Sequence, residues 1–181
     1  MKMTKKQKEA FKKVKLLLLD VDGVLTRGEI IYDNAGRELK IFNVKDGLGI
    51  YLLSKFAVPV VIITAKDSPV VRRRAHDMRI DKVIGGELPK AKMIPQLLKK
   101  YKVKKDEICF VGDDLIDIGI MNIVGVPVAV HDALPEVKKA ALYVSRYNGG
   151  QGAVREVVEC ILKAKNKWAG LIKNFDSIVK K

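Results

Sequence analysis

The chain has 181 residues, 48% of them hydrophobic and 31% charged, with a formal net charge of +14. This is the size of one domain with a real core, and the composition excludes a disordered chain. No apolar run approaches the roughly 20 residues of a membrane span and the basic N-terminus lacks a secretory cleavage site, so the expectation is a cytoplasmic protein without a membrane partner. The charge invites a nucleic-acid reading. Against it, the lysines gather at the two ends and in LLKKYKVKKDE, with few aromatics between them to stack on bases.

A short basic helix is expected first. KLLLLDVDG then reads as a fully buried strand, a continuous apolar run too short for a core helix. EIIYDNAGRELKIFNV, about residues 29–44, has two extended runs around the turn sequence DNAG and reads as a small β-hairpin flap. From there strands and helices alternate: DGLGIYLLSKF (helix), VPVVIIT (strand), DSPVVRRRAHDMR (helix), DKVIG (strand), LPKAKMIPQLLKKY (helix), EICFVGD (strand), DLIDIGIMNIV (helix) and VGVPVAV (strand). The lysine-rich tail from Lys163 onward reads as a helix with a frayed end. The alternation predicts a Rossmann-like α/β fold, a parallel sheet with helices on both faces and no large cap domain. One domain is expected over 1–181, its core about 15–162.

In such a sheet ligands sit at the carboxyl ends of the strands. The first strand runs into Asp20 and Asp22, the second ends in Thr64, and the fourth runs into GDDLID with Asp113, Asp114 and Asp117. Lys90 opens the helix after the third. Carboxylates this close repel unless a cation lies between them, and Mg²⁺ suits an oxygen site that leaves room for a phosphate. Thr64 can then donate to a phosphoryl oxygen and Lys90 can neutralise charge in transfer. An aspartate can be the nucleophile, and a second one two positions on can serve as general acid and base. Asp-Gly is also a common turn signal, so Asp20 and Asp22 gain their meaning from the company of GDDLID.

Other reactive residue types read as structural. Cys109 and Cys160 lie among apolar residues with no CxxC pair, as small core hydrophobes do. His76, His131 and the arginines at 72–74 read as surface residues. The glycines of NGGQG suit either an anion cradle or a turn before the last helix.

DVDGVLT, a hydrophobic strand ending in Thr, a lone Lys and GDDLID together resemble the haloacid dehalogenase superfamily of phosphotransferases. FNVKDGLGI, the short hairpin, VGVPVAV and NGGQGAVREV narrow the resemblance to the branch of 3-deoxy-D-manno-octulosonate 8-phosphate (KDO 8-phosphate) phosphatases and related nonulosonate 9-phosphate phosphatases. The resemblance implies a Mg²⁺-dependent phosphatase of a small acidic sugar phosphate, in lipopolysaccharide biosynthesis. It assigns Asp20 as nucleophile, Asp22 as general acid and base, and Thr64 and Lys90 as holders of the phosphoryl group. The metal would be held by Asp20, Asp113 and the backbone carbonyl of Asp22, with Asp114 and Asp117 supporting, and the substrate by Asn43, Lys45, Lys66 and Gln151. It also implies a homotetramer built around the hairpins. Three positions depart from the branch: Lys66, Gln151 and Lys45 stand where arginines are usual, which leaves the phosphatase chemistry in place and bears on the substrate.

Overall fold

The computed structural model describes residues 3–86 and 88–179; the last two lysines of the expected frayed tail lie outside the described residues. Helix α1 (Lys5–Lys13) starts at a Thr4 cap reciprocated by Gln7, and its buried Phe11 packs edge-on against Tyr143. Strand β1 (Leu16–Leu19) is the centre of the molecule, all four leucines shielded from solvent. Burial of each contributes about 1.5–3 kcal/mol, which fixes the strand and therefore where the chain emerges at Asp20.

The flap is a minimal antiparallel pair, β2 (Ile31–Tyr32) and β3 (Glu38–Leu39), closed by Asp33, whose carboxylate accepts from Ala35 and Arg37 N–H. Helix α2 (Val44–Ser54) follows, then β4 (Val60–Thr64), α3 (Pro69–Asp77), β5 (Lys82–Gly85), α4 (Ile94–Tyr101), β6 (Ile108–Gly112), α5 (Ile118–Met121), β7 (Val126–Ala129), α6 (Pro135–Ala140), β8 (Tyr143–Val144) and α7 (Ala153–Ala164). Six strands form one sheet through five parallel pairings, in the order β5-β4-β1-β6-β7-β8. The chain moves outward from β1 through β4 to β5, returns to β6 on the other side of β1, and continues outward. With right-handed crossovers the connections on the two sides of β1 place their helices on opposite faces, so that α5 packs with α6, while α7, at the end of the sheet, returns to pack with α1 and α2. This is the expected α/β fold, with the flap as the only insertion among the described residues. No helix among the described residues is long and apolar enough to cross a membrane.

Four details differ from the expectation. Lys90 opens a 3-10 turn, Lys90–Met93, and the α-helix expected from there begins only at Ile94, next to Pro95. Strand β8 was not anticipated, because two residues carry no periodicity and only pairing with β7 makes them a strand. The segment after β6 opens with a 3-10 turn, Leu115–Asp117, before the short α5. The tail breaks after α7 into α8 (Trp168–Lys173) and α9 (Phe175–Val179), with Leu171 buried beneath. Both cysteines are free and buried, as expected, and burial pushes both thiols up.

Candidate active site

The carboxyl ends of β1, β4 and β6 meet at the point where the strand order reverses. Asp20 is the first residue past β1 and is 4% exposed; Thr64 closes β4 and Asp113 follows β6. With Asp22, Lys66 and Asp114 they border one cleft of about 340 Å³.

Lys90 has no solvent exposure, and its ammonium lies between Asp20 Oδ2 at 2.8 Å and Asp117 Oδ1 at 2.7 Å. Burial alone would lower its pKa; the attraction of the two carboxylates prevails and raises it. Asp117 is equally buried. Its second oxygen accepts from the backbone N–H of Asp113 at 2.9 Å and of Asp114 at 3.4 Å, which is what tightens the start of this segment into a 3-10 turn. Gly112 is obligatory there, since a Cβ would lie 2.5 Å from Asp117 Oδ2. Asp114 spends its carboxylate on Leu115 N–H.

Asp20, Asp113 and Asp117 bring ligand oxygens within 4.8 Å of one another. Asp117 is occupied on both oxygens, so Asp20 and Asp113 are the available pair. Asp113 Oδ1 is buried with no hydrogen-bond partner among the described residues, an arrangement that costs free energy unless something positive meets it. Burial, then repulsion from Asp117, raises Asp20 from 3.8 to about 7 against the pull of Lys90. Burial, then Asp20, Asp117 and Asp114, raises Asp113 to about 8. A small hard dication fits this donor set and would reverse both shifts.

In metal-free protein Asp20 and Asp113 keep their protons to about pH 7 and 8, but unfolded they release them near 3.8. The folded state therefore binds more protons between those limits, and stability falls as pH rises through that window. Thermal unfolding in chelator should show a lower melting temperature at pH 8 than at pH 5, and added Mg²⁺ should raise it more at pH 8.

Gly23 supports the same pair. It adopts φ +81°, and a Cβ there would lie 2.0 Å from Asp113 Oδ2. Gly23→Ala should push Asp113 aside and lower turnover at this cleft by about 10²-fold at limiting Mg²⁺, a loss partly restored at high Mg²⁺.

Asp22 is half-exposed on the flap side of the cleft, and sequence reasoning missed its partner. Lys40, with a side chain only 3% exposed, reaches Asp22 Oδ1 at 2.5 Å and Glu38 at 3.4 Å. Glu38 also accepts from Lys66 Nζ at 2.8 Å and Ser68 Oγ at 2.9 Å; the Lys66 bond comes first in holding its carboxyl below the usual range. The flap is thus tied to both the β1 and β4 loops. Thr64 Oγ1 accepts from Lys66 N–H at 3.4 Å, leaving its own O–H to donate.

The other expected substrate residues fall elsewhere. Asn43 caps α2 by accepting from Lys45 N–H and donates to Gly150 carbonyl at 3.2 Å. Lys45 and Gln151 border a second cleft with Arg155. Of the two readings of NGGQG, close packing explains its first glycines: a Cβ on Gly149 would lie 1.7 Å from Gly23 carbonyl oxygen, and one on Gly150 2.6 Å from Thr26. Buried Asp46 accepts from Gly152 and Arg155 N–H, anchoring this loop and capping α7. His76 and His131 are exposed, as expected. Of the three arginines, Arg72 and Arg73 pair at the surface with Asp67 and Asp77, but Arg74 turns inward over Phe42.

The haloacid dehalogenase-like hydrolase family profile matches residues 70–157. The 3-deoxy-D-manno-octulosonate 8-phosphate phosphatase of Yersinia pestis is 41% identical over 87% of this chain and 84% of its own. The chain belongs to this phosphatase family. The Escherichia coli K12 relative is 43% identical over 85% of this chain and 82% of its own. A crystal structure of the Moraxella catarrhalis family member, in complex with magnesium, phosphate and KDO, superposes with a TM-score of 0.93 at 35% identity, covering 96% of this chain and 99% of that one.

Proposed function

We propose that this chain is a Mg²⁺-dependent phosphatase of 3-deoxy-D-manno-octulosonate 8-phosphate, acting as a single hydrolase domain in the cytoplasm and contributing to lipopolysaccharide biosynthesis. The observation that carries the reading is the pairing of Asp20 with an Asp113 whose buried oxygen lacks a partner, beside a lysine sealed between two carboxylates. Asp20, Asp113 and the Asp22 backbone carbonyl would hold the metal, whose charge would neutralise the carboxylates and the phosphoryl oxygens.

An Asp20 carboxylate oxygen attacks phosphorus as the bond from phosphorus to the sugar oxygen breaks. Asp22 gives its proton to that leaving oxygen. The Asp22 carboxylate then takes a proton from water, whose oxygen attacks the phosphorus of phospho-Asp20, freeing phosphate and the Asp20 carboxylate. Thr64 and Lys90 hold the transferring group, and Asp117 positions Lys90 and the Asp113 backbone. Asp114 supports the turn.

On the substrate side Lys66 borders the cleft, and Asn43 acts by fixing the glycine loop. Lys45 and Gln151 face a separate cleft and would serve a substrate only in a neighbouring subunit's site. A homotetramer supplies such a neighbour. In support of it, the flap and the start of α2 expose Ile30, Tyr32, Leu39, Ile41 and Val44, an apolar patch that association would cover. Light scattering of the wild type and of Tyr32→Asp/Ile41→Asp should give a tetramer and a smaller species.

Phosphate release from KDO 8-phosphate, a nonulosonate 9-phosphate and glucose 6-phosphate tests the substrate. The expected result is a kcat/KM at least tenfold higher on the first. Comparable rates across the three would assign a broader sugar phosphatase. Salt-sensitive nucleic-acid binding without turnover would reject the enzyme reading.

A further inference from the structure

We propose that Arg27, on the loop that follows the two leading aspartates, grips the carboxylate of the acidic sugar. This rests on the acidic sugar phosphate reading above. The other cation that lines the cleft, Lys66, is paired with Glu38, and the two that lie behind its aspartates are committed as well, Lys90 to Asp20 and Asp117 and Lys40 to Asp22 and Glu38. Arg27 also borders the cleft, is exposed, and makes no side-chain hydrogen bond or ion pair with any described residue. Its guanidinium is the charge left for a ligand.

The depth of each group separates the roles. Asp20 and Thr64 are both under 5% exposed and line the deep part of the cleft, with buried Lys90 behind Asp20, while Arg27 is exposed on the border of the same cleft, where it would meet the far end of a sugar whose phosphate sits at Asp20. A planar fork of N–H donors suits a carboxylate, which it can bind through two parallel bonds. The cleft is large enough for a small sugar acid.

The backbone beneath Arg27 is rigid. Buried Thr26 donates to Val21 carbonyl at 3.4 Å and accepts from Gly28 N–H at 3.2 Å. Gly150 backs onto the same turn, where a Cβ would lie 2.9 Å from Arg27 N. The side chain therefore leaves from a fixed point. Two rim carboxylates, Asp114 and Asp132, already accept from Leu115 and Gly149 N–H, and each would repel an anionic ligand that lacked a cation beside it.

The test compares full-length wild type, Arg27→Ala and Arg27→Lys on KDO 8-phosphate and on glucose 6-phosphate, which has no carboxylate, at saturating Mg²⁺. Arg27→Ala should raise KM for the acid roughly 10- to 100-fold, with kcat changed less than about threefold and glucose 6-phosphate unaffected. Arg27→Lys should recover part of the loss. Equal losses on both substrates would make Arg27 a structural partner of the rim and overturn the assignment, as would an unchanged KM for the acid. A wild type that prefers the acid, with Arg27→Ala keeping that preference, defeats Arg27 alone. A wild type with no preference defeats the acidic-substrate reading and this assignment with it.

Discussion

Replacing Asp20 with Asn is expected to lower kcat for phosphate release by 10⁴-fold or more while the chain remains folded. The amide is nearly isosteric and keeps an oxygen for Lys90 Nζ, which stands 2.8 Å from Asp20 Oδ2, but it is a far poorer nucleophile and carries no charge toward a metal. Asp20 and Asp113 repel each other in the absence of a cation, so removing one charge should also relieve the fold. Chelated Asp20→Asn is therefore expected to melt above the chelated wild type at pH 8, and to gain less from Mg²⁺. Activity and metal-free stability move in opposite directions, a combination that general damage to the fold would not produce.

Lys90→Met has the second-largest expected effect, and here stability and activity fall together. The ammonium has no solvent exposure and touches Asp20 and Asp117, so truncating it leaves two buried carboxylates without their counter-charge. Breaking a buried pair in this way costs about 3–5 kcal/mol, readable as a lower urea midpoint at unchanged slope. Loss of a preorganised charge at the phosphoryl group should lower kcat by about 10²- to 10³-fold. Adding Asp117→Asn to Lys90→Met removes one orphaned charge and should recover part of the stability and none of the activity. Full recovery of activity in the double variant would mean that Lys90 acts only by balancing Asp117.

Much of this site was legible in the sequence because its residues follow directly from strands. Leu16–Leu19, Val60–Thr64 and Ile108–Gly112 are apolar runs that can only be buried strands, so the polar residues at their ends had to converge. Lys90 and Asp117 were named, with Asp117 supporting through water or by orienting Lys90, and the fold has a direct bond of 2.7 Å between them. Lys40 was illegible, since its contact with Asp22 depends on how the flap folds back over 18 residues. Arg27 gave no signal either; as one basic residue in a chain of +14, it gains meaning only from the cleft it borders and the engagement of its neighbours. Asn43 is assigned to the substrate by the resemblance, and the fold adds that the start of a helix and the glycine loop use both ends of its amide. Arg74 was read from an arginine run as solvated, and helical geometry turned one of three inward.

The most direct measurement is capture of the covalent intermediate. Wild-type protein turning over KDO 8-phosphate with Mg²⁺ is quenched in acid within milliseconds, digested, and the peptide containing Asp20 is weighed. A phospho-Asp20 intermediate predicts a fraction of that peptide heavier by one phosphoryl group, removed by hydroxylamine and missing when chelator replaces Mg²⁺. Sustained turnover with no phosphoryl group on Asp20 at any quench time would contradict it.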